Sequence, residues 1–243
     1  MAGVTYRGFA PATSLARWGM AAVAVGIVVG ATAPAVLGGL ATIAIDAPDG
    51  LPWLLERVFA FLGYIAMTGS VVYGLLLSTR ILDAIAHRPV SFNLHQELAT
   101  WGIGLAAIHG ALLMLDTSVP FSIAQLLVPG LAPHAPLAVA AGQVALYLAL
   151  IVTVSFHVRR VIGQRTWRIL HYTTFLAFVG VTVHGIASGT DSSAPWAQWL
   201  YLGSAAVVTF LLTFRIAMAV LERRALAQPA ETAHLPFAVR RAG

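Results

Sequence analysis

The chain has 243 residues, of which 59% are hydrophobic and 9% charged, and its formal net charge is +5. Soluble globular proteins carry about 25% charged residues, so this composition excludes an ordinary soluble domain and indicates an integral membrane protein. The chain has no cysteine, which excludes disulfides, Cys-ligated zinc, iron–sulfur clusters and thioether-linked haem. Any metal or cofactor must therefore be held by His, Met or oxygen ligands.

Six apolar segments are long enough to cross a hydrocarbon core, which takes about 20 residues. Each is predicted to be α-helical, because lipid cannot hydrogen-bond an exposed backbone and the alternating polarity of a barrel strand is absent. The first is predicted to be a retained span, because its apolar run is too long for a signal peptide. We expect an all-α, six-helix transmembrane bundle over residues 18–221, with short cytoplasmic tails at 1–17 and 222–243. The predicted spans cover residues 18–45, 53–79, 92–115, 137–156, 169–186 and 196–221.

The basic residues are all arginines. Except for Arg57 and Arg215, which fall within predicted spans, they lie in alternate connectors and in both tails. The other three connectors contain Asp and no Arg. This bias predicts that both termini are cytoplasmic and that the third and fifth spans run in parallel from inside to outside. Membrane orientation explains the positive charge, so no nucleic-acid partner is expected. The exclusive use of Arg in place of Lys is typical of a GC-rich genome and favours a bacterium, so we expect the protein in a bacterial cell membrane. The outer connector, residues 116–136, has an apolar patch between prolines and is predicted to form an interfacial half-helix.

Four histidines lie within two spans, and their intervals lead to the functional prediction. His95 and His109 are fourteen residues apart in the third span, and His171 and His184 are thirteen apart in the fifth. Ionisable side chains at membrane depth are costly and usually functional. Fourteen residues advance a helix by about 21 Å and return to within about 40° of the same face, and thirteen advance it by about 19.5 Å. The sequence therefore predicts two pairs at matched depths, His95 with His171 on the cytoplasmic side and His109 with His184 on the outer side.

Paired imidazoles are typical axial ligands of haem iron, and without cysteine such a haem must be of the non-covalent b type. We therefore expect two haems b, one above the other, as an electron path through the membrane. The interval in the fifth span does not fit an ideal helix, because thirteen residues leave His184 about 140° from His171. Either this span is overwound toward 3₁₀ geometry, or its two ligands approach from opposite flanks.

Other residues on these spans are candidates for cofactor contact. In the third span Gly102, with Ala99 and Ala106, leaves room for a flat macrocycle, although small residues equally serve close helix packing in membranes. In the fifth span Phe178 could lie between the haems, although an apolar aromatic residue inside a bundle usually serves packing. The remaining histidines are predicted to be solvated: His87, His134, His157 and His234.

Three arginines have candidate roles beyond orientation, because haem carboxylates favour Arg partners. Arg168 lies one turn before His171 and Arg88 lies at the inner connector, so both are candidates for contact with inner propionates. Arg57 lies at the outer start of the second span, beside Glu56. It could pair locally with Glu56, contact an outer propionate or bind an anionic acceptor.

The paired intervals resemble those of the ferric reductase-like transmembrane domain shared by ferric reductases and NADPH oxidases. The stretches VPF, LLVPG and SFHVRRVIGQRTWRILHYTTFLAFVGVTVHGIASGTD also match. The last stretch, with its W-R-x-L-H entry and H-G-x-x-x-G-T-D exit, is similar to stand-alone bacterial members. The resemblance covers about residues 53–221.

This resemblance implies two b haems that carry electrons from a cytoplasmic flavin outward to iron, oxygen or a partner protein. It implies that His95 and His171 are the inner ligands and that His109 and His184 are the outer ones. Arg57 falls where the oxidases have an outer-side arginine near the acceptor site.

The sequence departs from the family in two places. It contains no fused flavin and NADPH domain, so the expected donor is a separate flavoprotein or a quinol. Leu113 stands where the oxidases have a further histidine, which argues against deliberate superoxide production.

The sequence therefore favours an oxidoreductase component that conducts electrons to an outer acceptor such as a ferric chelate or a partner protein. One alternative is the haem subunit of a periplasmic methionine-sulfoxide-reductase-like system, which matches this sequence less well. A different class is a proton-relaying transporter, which needs Asp or Glu at membrane depth. Between the histidines, the fifth span has none and the third has only Glu97. A membrane scaffold that binds a partner subunit would need no histidines.

Overall fold

The computed structural model describes residues 51–79, 88–115 and 119–227, together with the isolated helical positions Pro34 and Gly38. Within these ranges the chain is helical and contains no strand. Apart from Pro34 and Gly38, the predicted first span lies outside the described residues, and so do the side chain of Arg88, His87 and His234. The helices in these ranges are α1 (Leu51–Thr79), α2 (Arg88–Leu112), α3 (Ile123–Leu127), α4 (Pro136–His157), α5 (Arg159–Ile162), α6 (Gln164–Ser188) and α7 (Pro195–Ala227).

Four of the described helices are long and apolar enough to cross a membrane, which indicates a multi-pass membrane protein. They are α1, α4, α6 and α7, and they correspond to the predicted second, fourth, fifth and sixth spans. Helix α2, the predicted third span, has 25 residues and a length of about 37 Å. The first half of α2 is more polar than α1, α4, α6 and α7. It contains Asn93, His95, Gln96 and Glu97.

Large apolar side chains cover much of the outer surface of these helices. Trp101, Leu176 and Leu202 are each more than 60% exposed, and Leu137 is 85% exposed. A water-soluble monomer rarely exposes contiguous apolar surface on this scale, whereas lipid-facing helices do so along their length.

Helices α1 and α2 pack closely in antiparallel orientation, because glycines on α1 let the two backbones approach. A methyl group at Gly63 would lie 3.4 Å from the backbone nitrogen of Ala106, and one at Gly69 would lie 3.4 Å from the Leu98 side chain. One at Gly74 would lie 3.1 Å from the His95 ring. Small residues at helix contacts are the usual means of association in membranes, where water does not drive apolar packing.

Helices α4 and α6 form a second antiparallel pair, in which Gly180 faces Ala141 and Ala145. Helix α7 runs parallel to α1 and contacts it through two buried clusters. The first cluster contains Phe61 and Tyr64 of α1 with Ala197 and Tyr201 of α7. The second contains Leu75 of α1, Phe178 of α6, and Val207, Val208 and Leu211 of α7.

A short helix, α3, lies in the outer connector where an interfacial half-helix is predicted, and its placement at the membrane interface stays a prediction. Ser122 caps its first turn in a reciprocal capping box with Gln125. Gln143 of α4 donates from Nε2 to the carbonyls of Gln125 and Leu126, and the Tyr147 hydroxyl donates to Leu127 O. These bonds satisfy carbonyls at the end of a helix too short to satisfy them itself, and they fix α3 against α4.

Candidate functional site

Two cavities lie one above the other between α1, α2, α4 and α6. The His95 cavity has a volume of about 490 Å³ and the His109 cavity about 540 Å³. Both volumes fall within the range of cofactor and ligand sites, about 300–1,000 Å³. Each of the four helices contributes half of its length to the His95 cavity and the other half to the His109 cavity. Met67 of α1 borders both cavities. The four helices thus line two tiers of space.

Each cavity contains one pair of histidines, as predicted from the intervals. The ring centres of His95 and His171 are 6.1 Å apart, and those of His109 and His184 are 6.3 Å apart. Two imidazoles on opposite sides of one metal ion, each with a metal–nitrogen bond of about 2 Å, would have ring centres about 6 Å apart. The spacing of both pairs therefore suits a shared metal ion between the rings.

Helix α1 holds both histidines of α2 through their Nδ1 atoms. Nδ1 of His95 donates to the Ser70 carbonyl over 2.8 Å and also lies 3.1 Å from Ser70 Oγ. Nδ1 of His109 donates to the Glu56 carbonyl over 3.1 Å and lies 2.9 Å from Glu56 Oε1. A carbonyl oxygen can only accept, so Nδ1 carries the proton and Nε2 keeps its lone pair. Histidines that bind metals are usually held in this way.

His184 of α6 is held in the same manner by α4. Its Nδ1 donates to the Ala138 carbonyl over 3.1 Å and lies 3.1 Å from Ser188 Oγ. Gly142 provides the space for the ring, because a methyl group there would lie 2.6 Å from His184 Cγ. Helix α6 remains α-helical from Gln164 to Ser188, so 3₁₀ overwinding does not absorb the thirteen-residue interval. The His184 ring instead reaches its pair from the flank that faces α4.

His171 is positioned by stacking rather than by a hydrogen bond. Its ring lies 5.1 Å from that of Trp167, one turn earlier in α6, at an interplanar angle of 25°. Its Nδ1 is buried without a hydrogen-bond partner in the described structure, and so is Trp167 Nε1. This member of the four therefore depends on ring packing for its orientation.

The small residues predicted to leave room for a macrocycle do not all do so. Ala99 borders the His95 cavity and Ala106 the His109 cavity. Gly102 borders neither; a methyl group there would lie 2.6 Å from Met67 Cγ, so this glycine serves the contact between α1 and α2. Phe178 borders only the His95 cavity and also packs in the buried cluster with α7.

The arginines predicted as candidates occupy different environments. Arg57 borders the His109 cavity, where it forms an ion pair with Asp191 and lies 3.9 Å over the Trp53 ring. It does not pair with Glu56, whose carboxylate contacts His109 instead. Arg168 is exposed, borders neither cavity and donates to the carbonyl of Gln164, so the structure does not bring it to the histidines.

Three further predicted positions border the cavities. Leu113 lines the His109 cavity. The side chains of His134 and His157 are exposed, as predicted, and each lies at the edge of one cavity.

Sequence reasoning missed most of the residues that hold the histidines. Glu56, Ser70, Ala138, Gly142 and Trp167 all contact one of the four rings. One signal was available: Glu56 and Ser70 are fourteen residues apart in α1, the same interval as His95 and His109 in α2. By contrast, the sequence does not reveal which backbone carbonyl or which glycine will contact a histidine, because every residue has a carbonyl and glycines have many other roles.

Comparison with models of known protein families, with curated proteins and with solved structures found no match to this chain. Among the described residues, no group of three or more His, Asp or Glu side chains is arranged to hold a metal ion. Each cavity instead offers two imidazoles on opposing walls.

Proposed function

We propose that this protein is the membrane component of an oxidoreductase and that it carries electrons across the membrane through two stacked b-type haems. The observation that supports this most directly is the pair of His–His separations, 6.1 and 6.3 Å between ring centres, in two cavities lined by the same four helices. One such histidine pair alone would suit many kinds of metal site. Two pairs at two depths of the bundle suit a path for electrons across the membrane.

The residues present fit the axial positions of such haems. His95 and His171 would hold the inner one, and His109 and His184 the outer one. Nδ1 of three of these rings is bound to a carbonyl oxygen, which leaves Nε2 as the ligand atom. A metal held by protein ligands alone usually takes about four, whereas a porphyrin supplies four and needs only two from the protein.

When bound, the haems would supply reversible one-electron chemistry at two depths of the membrane. The chain's own residues orient the four rings, and apolar residues that include Leu113, Phe178 and Met67 form part of the cavity walls. The Arg57–Asp191 ion pair closes part of the wall of the His109 cavity.

The arginine distribution gives the expected orientation of the two histidine pairs in the membrane. Six spans with both termini in the cytoplasm would place the His95 pair on the cytoplasmic side and the His109 pair on the outer side. The donor would be a separate flavoprotein or a quinol. The acceptor would be a ferric chelate or a partner oxidoreductase, as the resemblance to ferric reductase-like domains implies.

The first experiment is an absorption spectrum and haem count of the purified protein after expression with haem supply. We expect six-coordinate low-spin spectra and two haems b per chain. Replacing His95 or His171 by Ala should remove only the inner haem, and replacing His109 or His184 only the outer one. His157→Ala and His134→Ala are matched controls, because each removes an unpaired histidine at the edge of one cavity. A colourless protein would refute the proposal.

One contact favours a second function. Glu56 of α1 places a carboxylate 2.9 Å from His109, and such a pair is typical of proton-relaying membrane proteins. A proton carrier would bind no haem and would acidify or alkalise the lumen of proteoliposomes under a pH gradient. The haem count therefore separates the two functions.

A further inference from the structure

We propose that Glu56 lowers the reduction potential of the outer haem relative to the inner one. This inference rests on the proposed function, and it assigns to Glu56 a positioning and tuning role that acts through His109. Glu56 itself would not touch the reacting atoms.

Helix α1 holds the two histidines of α2 by the same arrangement at two positions. Ser70 offers both its backbone carbonyl and its side-chain oxygen to Nδ1 of His95. Glu56 offers both its backbone carbonyl and its side-chain oxygen to Nδ1 of His109. The two anchors are fourteen residues apart, as are the two histidines, so α1 anchors both histidines of α2 in the same way. The chemical difference between these two anchors is a neutral hydroxyl in one and a carboxylate in the other.

The carboxylate contact is sheltered from solvent. The side chain of Glu56 is 15% exposed and that of His109 is 18% exposed, so water screens the interaction only weakly. The nearby cation Arg57 forms its ion pair with Asp191, in the connector between α6 and α7, and the charge of Glu56 also acts on Arg57. The Glu56 carboxylate contacts the histidine directly, so its charge acts on that ring as well.

A carboxylate that accepts the Nδ1 proton makes the imidazole a more basic ligand. A more basic axial ligand stabilises the oxidised iron over the reduced iron, which lowers the reduction potential. A serine hydroxyl at the same place has no net charge and exerts a smaller effect. The outer centre would therefore hold its electron less tightly than the inner one and would deliver it to acceptors that are hard to reduce.

The test is a redox titration of the purified two-haem protein, with each centre assigned from the single-haem His variants. Glu56→Gln keeps the backbone contact and an oxygen acceptor but removes the charge. We expect the reduction equilibrium of the outer haem to shift at least tenfold toward the reduced form, about 59 mV for one electron. The inner haem should be unchanged.

Two variants serve as controls. Glu97→Gln makes the same chemical change on α2, at an exposed side chain that forms no hydrogen bond with a histidine in the described ranges, and it should leave the outer haem unchanged. Glu56→Asp keeps the charge and should stay closer to the unmodified protein than Glu56→Gln.

Each result bears on the proposal. An outer potential that is the same in Glu56→Gln as in the unmodified protein overturns the role of Glu56 and leaves the proposed function standing. Loss of the outer haem in that variant also overturns it, because Glu56→Gln keeps the backbone carbonyl that holds the His109 ring. An unmodified protein without haem overturns both the tuning role and the proposed function.

Discussion

Gly142 of α4 lies against the imidazole of His184 so closely that a methyl group at position 142 would be 2.6 Å from Cγ and 2.8 Å from Nδ1 of the ring. The neighbour cannot yield easily, because Nδ1 is bound to the Ala138 carbonyl in the same helix. The position of this ring therefore depends on the absence of a side chain.

Gly142→Ala should displace the His184 ring and reduce the haem content from about two to about one per chain. The spectrum of the remaining haem should be that of the inner site. Gly104→Ala is the matched control, because a methyl group there would meet no atom within 4 Å. An unchanged haem content in Gly142→Ala would show that His184 is not a ligand or that α4 moves to accommodate it.

Trp167→Ala should weaken binding of the inner haem selectively, because within the described residues the His171 ring has no hydrogen bond through Nδ1 and relies on the stacked indole. When the variant is diluted into apomyoglobin, which takes up released haem, its inner haem should dissociate faster than that of the unmodified protein. The outer haem should dissociate at the unmodified rate. Trp199→Ala removes the same side chain from a 57% exposed position on α7 and should have no effect. Equal loss from both sites would indicate general destabilisation instead.

The histidine pairing could be predicted from the sequence because helix geometry alone relates depth to residue number. The role of Gly102 could not, because helical periodicity shows which residues share a face but not which neighbour covers it; here α1 covers it with Met67. The same limit applies to Arg57, whose partner is not the adjacent Glu56 but Asp191, 134 residues later. Contacts between distant segments depend on how the helices pack, and no local pattern encodes that.

Asp191→Asn should destabilise the protein by about 2–5 kcal/mol, because it removes the ion-pair partner of the buried Arg57 guanidinium. Thermal unfolding in detergent would measure this. The double variant Arg57→Met, Asp191→Leu should recover most of the loss, because it removes both charges together. If both variants unfold at the same temperature as the unmodified protein, the ion pair is not sheltered from solvent.

Tyr64→Phe should cost about 1 kcal/mol of stability, the usual contribution of a buried hydrogen bond. The Tyr64 hydroxyl lies 2.6 Å from Ser204 Oγ and 3.2 Å from Thr182 Oγ1, and it joins α1 to α7 and α6. Tyr172→Phe, at a 60% exposed position on α6, should change stability by less than half of that. Chemical denaturation in mixed micelles would compare the two variants, and equal effects would contradict a structural role for the Tyr64 hydroxyl.

The matching anchors on α1 also restrict how this chain can evolve. Inserting or deleting one residue between Glu56 and Ser70 would turn one anchor by about 100° relative to the other and shift it by about 1.5 Å along the axis. One of the two imidazoles on α2 would then lose its acceptor. Homologues should therefore differ in length in their connectors and tails but conserve the number of residues in this stretch, even where its side chains change.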